Sequence, residues 1–222
     1  MKERGMIFNG EMVRALLDGR KTQTRRIMKV QPESSEFGLR YISESSLAKE
    51  VGMYFWSQSD ACGMKARSKP FACPYGKPGD RIWVRETFQG PLFDFDLMDS
   101  YCKDSTPFEK PEFCVYKADG VPAPEFYDAD DELHCCWRPS IHMPRWASRI
   151  LLEITDVRVE RLKSISDGDA IREGCSTADM KSGDCAADVF ARLWASIYGE
   201  ESWQANPWVW VIEFKRVEGG AA

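Results

Sequence analysis

Histidine is nearly missing from this chain: only His134 and His142 occur in 222 residues. A mechanism built on paired histidines therefore requires those two to meet. Also missing are a GxGxxG fingerprint, a Walker loop and an HExxH helix, which leaves dinucleotide, nucleoside-triphosphate and zinc-protease readings without support. No apolar run approaches the ~20 residues needed to cross a bilayer, and the opening MKERGMIFNGEM is charged and lacks a leader-like apolar stretch. A cytoplasmic protein with no membrane partner is expected. There is no internal repeat and no low-complexity tract.

Paired metal ligands are scarce as well. Structural zinc sites usually carry ligands two to four residues apart. The eight cysteines stand at 62, 73, 102, 114, 135, 136, 175 and 185, so only Cys135 and Cys136, next to His134, are close. A site drawn from Cys62, Cys73, Cys135 and Cys136 is the arrangement this spacing leaves open. The expectation is reduced thiols in a reducing compartment, with no metal and no cofactor.

What is present describes a folded globule. At this length one well-cored domain over residues 1–222 is expected, and 43% hydrophobic residues argue against wholesale disorder. The net charge of −5 is unevenly spread: residues 1–30 carry eight basic and three acidic side chains, residues 89–134 three basic and twelve acidic. A basic face suited to a nucleic-acid backbone is implied, while the overall acidity argues against strong unspecific duplex binding.

Strand-like runs alternate with Gly and Pro signals, giving a β-rich mixed α/β pattern. Strands are expected near 81–86, 113–117, 149–159 and 208–216, the last buried on both sides at one end because its alternation is only partial. Asn9 suits an N-cap, Met12, Val13, Leu16 and Leu17 share one helical face, and Gly19 suits a left-handed helix end. A second helix starts at Ser166 with Asp169 and stops at Gly174; a third carries Val189, Phe190, Leu193, Trp194 and Ile197 and ends at Gly199. Residues 31–72 and 89–137 have weak periodicity and scattered aromatics and read as two long insertions.

Directly after the first helix comes DGRKTQTRR, a lysine, two threonines and three arginines held just past a docked anchor. It reads as a reactive or anion-binding segment. GRKTQTRR, PGDRIWV, LLEITDV, SISDGDAIREG and WVIEFK, in that order, resemble an ASCH domain of the PUA-like superfamily, and CPYGKPGDRIWVRETF with RPSIHMPRWASRILLEITDVRVERL resembles its larger phage and prophage members. The resemblance runs from residue 5 to 216 and skips the two insertions. It implies an α+β fold with a small PUA-like β-barrel, packed helices and a cleft for a nucleobase-containing ligand.

Similar compact members are amidohydrolases of N4-acetylcytidine, and their lysine, threonine and glutamate match Lys21, Thr24 and Glu173. A threonine hydroxyl needs a base to become nucleophilic, and a desolvated lysine can serve. Residues three apart in a regular strand face opposite ways, so this chemistry requires a bend between 21 and 24. Glu173 would orient the lysine or shuttle a proton.

Candidate ligand contacts are Arg25, Arg26, Trp83, Arg85, Glu86 and Arg145. Arg85 and Glu86 close an apolar strand at a possible barrel mouth; a structural pairing with each other or with Arg25 and Arg26 is favoured. In HMPRWASR, His142, Arg145, Trp146 and Arg149 suit base stacking and phosphate contact, against a core role for Trp146, which is favoured. The expected partner is a nucleoside, nucleotide or RNA. The competing expectations are a non-catalytic RNA or modified-DNA binding module and a ribonuclease.

Overall fold

The computed structural model describes residues 1–59, 65–127 and 132–217. In chain order the first elements are β1 (Glu3–Ile7), α1 (Gly10–Leu17), β2 (Gln23–Ile27), β3 (Gly38–Tyr41), β4 (Tyr54–Ser59), β5 (Lys65–Arg67) and β6 (Arg81–Arg85). Then come β7 (Phe88–Gln89), α2 (Met98–Lys103), β8 (Val115–Tyr116), β9 (Glu125–Tyr127) and β10 (Leu133–Cys135). The chain closes with β11 (Leu151–Arg161), α3 (Asp167–Arg172), α4 (Ala186–Tyr198), α5 (Glu200–Ala205) and β12 (Trp208–Arg216). This is a mixed α+β fold.

Its frame is a five-stranded sheet in the order β1-β6-β11-β12-β2. The β1–β6 pair is parallel and the other pairs are antiparallel. β12 is flanked by β11 and β2 and covered on both faces. Trp210, Ile212 and Phe214 enter one core with Val13, Leu16, Ile82, Val84, Leu152 and Ile154, while Val209 and Val211 enter a second with Phe190 and Trp194 of α4. Burial on both faces explains its near-continuous apolar sequence. No ladder joins β1 to β2 among the described residues; instead Arg26 Nη2 donates to the Ile7 carbonyl at 2.7 Å across the gap.

The caps follow local chemistry. Asn9 accepts from the Met12 amide at 2.8 Å, and Gly19 turns the chain with φ of 72° after α1. Ser166 accepts from the Asp169 amide, and Gly174 adopts φ of 98° after α3. The strand expected at 113–117 contracts to the two residues of β8, and β1 and β2, absent from the sequence pattern, form the sheet edges.

The segment 31–72 is no loop appended to the core. It folds as the antiparallel sheet β3-β4-β5. Trp56, 1% exposed, sits in the main core with its ring 5.1 Å from Trp208, and its Nε1 donates to the Val30 carbonyl. The segment 89–137 instead builds its own aromatic cluster of Phe93, Tyr101, Phe108 and Phe113 and joins the body through Phe88 and Tyr116. Among the described residues no helix is long and apolar enough to cross a membrane.

Candidate active site

The segment after α1 is clamped from both sides. The Lys21 amide donates to Ala15 of α1 at 2.9 Å, and the Thr22 amide to Arg172 of α3 at 2.8 Å. Regular strand geometry begins only at Gln23, so Lys21 precedes the alternation of β2 and is free of the opposite-face constraint.

Those clamps bring Lys21 to Glu173, 152 positions away. The Lys21 ammonium, fully buried, donates to Glu173 Oε2 at 2.9 Å and to the Glu173 carbonyl at 2.6 Å. Arg25, equally buried, donates to Glu173 Oε1 at 3.1 Å, while its other nitrogen meets Glu160 at 2.9 Å and Asp169 at 3.4 Å. Glu173 is thus a 2%-exposed carboxylate gripped by two cations from one short segment. Burial lowers the Lys21 pKa from its ordinary value and the positive charge of Arg26 adds to this, against the pull of Glu173.

Close backbone approach makes this possible. Gly174 turns the chain away immediately after Glu173, and a Cβ there would stand 2.8 Å from the Ala15 Cβ and 3.3 Å from the Lys21 Cβ. Only glycine meets both the positive φ and the contact.

Thr24, 1% exposed, lies with Arg25, Arg26 and Glu173 in the wall of a cavity of about 690 Å³. Its aromatic lining comes from Phe8 and, on α4, Phe190, Trp194 and Tyr198. The Arg26 guanidinium lies 5.2 Å from the Phe8 ring centroid, and Lys21 Nζ lies 6.0 Å from it. Among the described residues the buried Nε–H groups of Arg25 and Arg26 have no acceptor.

Glu86, just beyond β6, lines the same cavity with Thr87, Lys117, Ala118 and Ser140. Its carboxylate is 2% exposed and pairs not with Arg85, Arg25 or Arg26 but with Arg149, through Nε and Nη2 at 3.0 Å each. Arg149 also holds Asp119 at 2.7 and 2.9 Å. Burial raises the Glu86 carboxyl pKa, and Arg149 opposes that shift.

Trp83, Arg85 and Arg145 stand apart from this lining. Alternation along β6 turns Ile82 and Val84 into the core and Trp83 and Arg85 outward. Trp83 then lies over Gly5, with Arg85 stacked on it and bonded to the Ser140 and Ile141 carbonyls. Arg145 is exposed and bonds Glu3. Trp146 packs beside Phe88, Tyr116 and Met143. His134 stacks on Phe126, His142 is exposed, and neither lines the cavity.

Seven cysteines are unbridged, and among the described residues no group of three or more His, Cys, Asp or Glu is disposed around a metal; Cys62 lies outside those residues. Phe8, Lys117, Asp119 and the α4 aromatics carried no functional signal in sequence. Arg149 signalled only as part of a basic, Trp-containing run. Comparison with family models, curated proteins and solved structures gave no match to this chain.

Proposed function

We propose that this protein is an amidohydrolase acting on an N4-acylated cytidine or a related nucleobase amide, built on an ASCH-type, PUA-like fold. The observation that carries this reading is the buried Lys21–Glu173 pair, of which Glu173 lines a nucleoside-sized cavity together with Thr24. The near approach of β1 and β2 through Arg26 supports a barrel-like frame.

Neutral Lys21 takes the Thr24 hydroxyl proton, and Thr24 Oγ1 attacks the acyl carbonyl carbon. The bond to the exocyclic nitrogen breaks, and the Lys21 ammonium returns a proton to the departing amine. Water, deprotonated by Lys21, then attacks the ester carbonyl; the bond to Thr24 Oγ1 breaks, Lys21 returns the proton to Oγ1, and the carboxylic acid is released. Glu173 holds the lysine in place. The unpartnered Nε–H of Arg26, two residues along β2 from Thr24 and so on the same face of the strand, suits the oxyanion that develops on the carbonyl. The aromatic lining suits a base, and an adjoining cavity of about 520 Å³ that shares Glu173 and Arg14 gives room for an acyl group.

Chromatographic turnover of N4-acetylcytidine and a panel of acylated nucleosides, beside Lys21→Ala and Thr24→Ala, tests the reading. Product formed by the wild type and lost in both variants is expected. No turnover of any compound removes the hydrolase and favours nucleic-acid recognition without catalysis.

A further inference from the structure

Glu86 is the second buried carboxylate of the cavity, and the proposed chemistry leaves it unused. It comes from the β1–β6 side, away from β2 and α3, which supply Thr24 and Glu173. Arg149 occupies one acceptor position on each of its oxygens. A carboxylate offers about four such positions, so acceptor capacity remains on a group that lines the cavity.

Its orientation is braced beyond what charge balance needs. Arg149 is forked onto Glu86, forked again onto Asp119, and lies 3.9 Å from the Tyr116 ring centroid. One guanidinium between two carboxylates leaves the trio with an excess negative charge. With Lys117 in the same wall this side of the cavity carries no net positive charge, which favours a neutral donor such as a hydroxyl over a phosphate. The wall around Glu86 adds the hydroxyl-bearing residues Thr87 and Ser140.

We propose that Glu86, braced by Arg149 and Asp119, accepts hydrogen bonds from the sugar hydroxyls of the ligand, so that the cavity takes ribonucleosides in preference to deoxyribonucleosides. The inference rests on the amidohydrolase reading for its orientation. With the exocyclic nitrogen at Thr24, the sugar at the far end of the pyrimidine is directed toward the Glu86 side. Losing a hydroxyl that donates to a buried carboxylate costs affinity, because the analogue lacking it leaves an acceptor position of Glu86 unfilled.

The test is equilibrium binding of cytidine, 2′-deoxycytidine and 3′-deoxycytidine to the wild-type protein by calorimetry, repeated with Glu86→Gln. Loss of the 2′-hydroxyl is expected to weaken wild-type binding by about tenfold or more, and Glu86→Gln to narrow that ratio to about twofold. Equal wild-type affinity for cytidine and 2′-deoxycytidine, whatever the affinity for 3′-deoxycytidine, or binding of none, overturns the proposal without relying on any variant. Discrimination unchanged in a folded Glu86→Gln, checked by its thermal melt, overturns the role of this residue. Turnover separates the two readings. Hydrolysis without sugar discrimination removes this inference alone, whereas discrimination without hydrolysis removes the amidohydrolase and leaves the sugar contact standing.

Discussion

Glu173 and Glu86 are buried to the same degree in the wall of one cavity, yet they are held by opposite arrangements. Glu173 is gripped by two cations, Lys21 and Arg25, both from residues 21–25 shortly after α1. Glu86 has one cation, Arg149, and shares it with Asp119 from the second inserted segment. A carboxylate with two cations can remain paired while one of them gives up its proton, which suits a reaction centre. A carboxylate sharing its only cation keeps a demand for donors, which suits recognition. Burial alone does not assign a role; the count of partners around each charge does.

The largest expected effect breaks that comparison on the kinetic side. Lys21→Met and Thr24→Ala should each lower kcat by about 10²–10⁴-fold, whereas Glu86→Gln should act chiefly on KM. Steady-state kinetics on a turned-over nucleoside would collapse the distinction if Glu86→Gln cost as much kcat as Lys21→Met. The next effect is on stability. Glu173→Ala strands the fully buried Lys21, while Arg25 keeps Glu160 and Asp169, and should cost about 3–5 kcal/mol. Glu86→Ala leaves Arg149 with Asp119 and should cost less, about 1–3 kcal/mol; urea unfolding midpoints that reverse this order would refute the partner count.

Gly174→Ala sharpens the Glu173 side, because a Cβ there meets Ala15 in a backbone conformation of positive φ. It should cost about 1–3 kcal/mol and displace the lysine, lowering kcat as well as stability. A variant with wild-type melting and rate would mean the contact yields.

The smallest effects lie in pH. If Lys21 is the base, kcat/KM should rise with pH along a limb centred below the ordinary lysine value of 10.5. Since Glu173 raises the Lys21 pKa, Glu173→Gln should move that limb to lower pH; movement to higher pH would discard the assignment. For Glu86 the linkage has the opposite sense. Its folded carboxyl is raised above 4.5, so between 4.5 and that raised value the folded protein binds the extra proton. Stability from this group therefore falls as pH rises through that window, with a slope on the order of 1 kcal/mol per pH unit at most. Unfolding free energies of wild type and Glu86→Gln compared across the acid range would show the slope vanish in the variant. Arg149, Asp119 and Lys117 are the other charged groups on this side of the cavity.

Part of this was legible because it is local. The caps at Asn9 and Ser166 and the left-handed glycines at 19, 174 and 199 are decided within a few residues. So is the apolar stripe of α4. The strands β1 and β2 escaped detection because ERGMI and QTRRI are short and carry charge; their partners β6 and β12 make them strands. Residues 31–72 looked like a loop because YFWSQS places one deeply buried tryptophan among serines, and only the Trp208 and Trp210 rings beside it give Trp56 and Tyr54 a core to enter. Trp83 and Arg85 looked like cavity residues because a strand end attracts that reading, and the alternation of β6 turned them outward.

The sequence by itself determined the helix that precedes the basic segment, its capping residues and the identity of the charged groups available. Tertiary structure alone decided which charges meet. Lys21 reaches Glu173 across 152 positions, and Glu86 reaches Arg149 across 63. The physical reason is desolvation: a buried charge is tolerable only beside its counter-charge, so these partners are chosen by the packing that excludes water, and that packing is the property of the whole sheet and its helices.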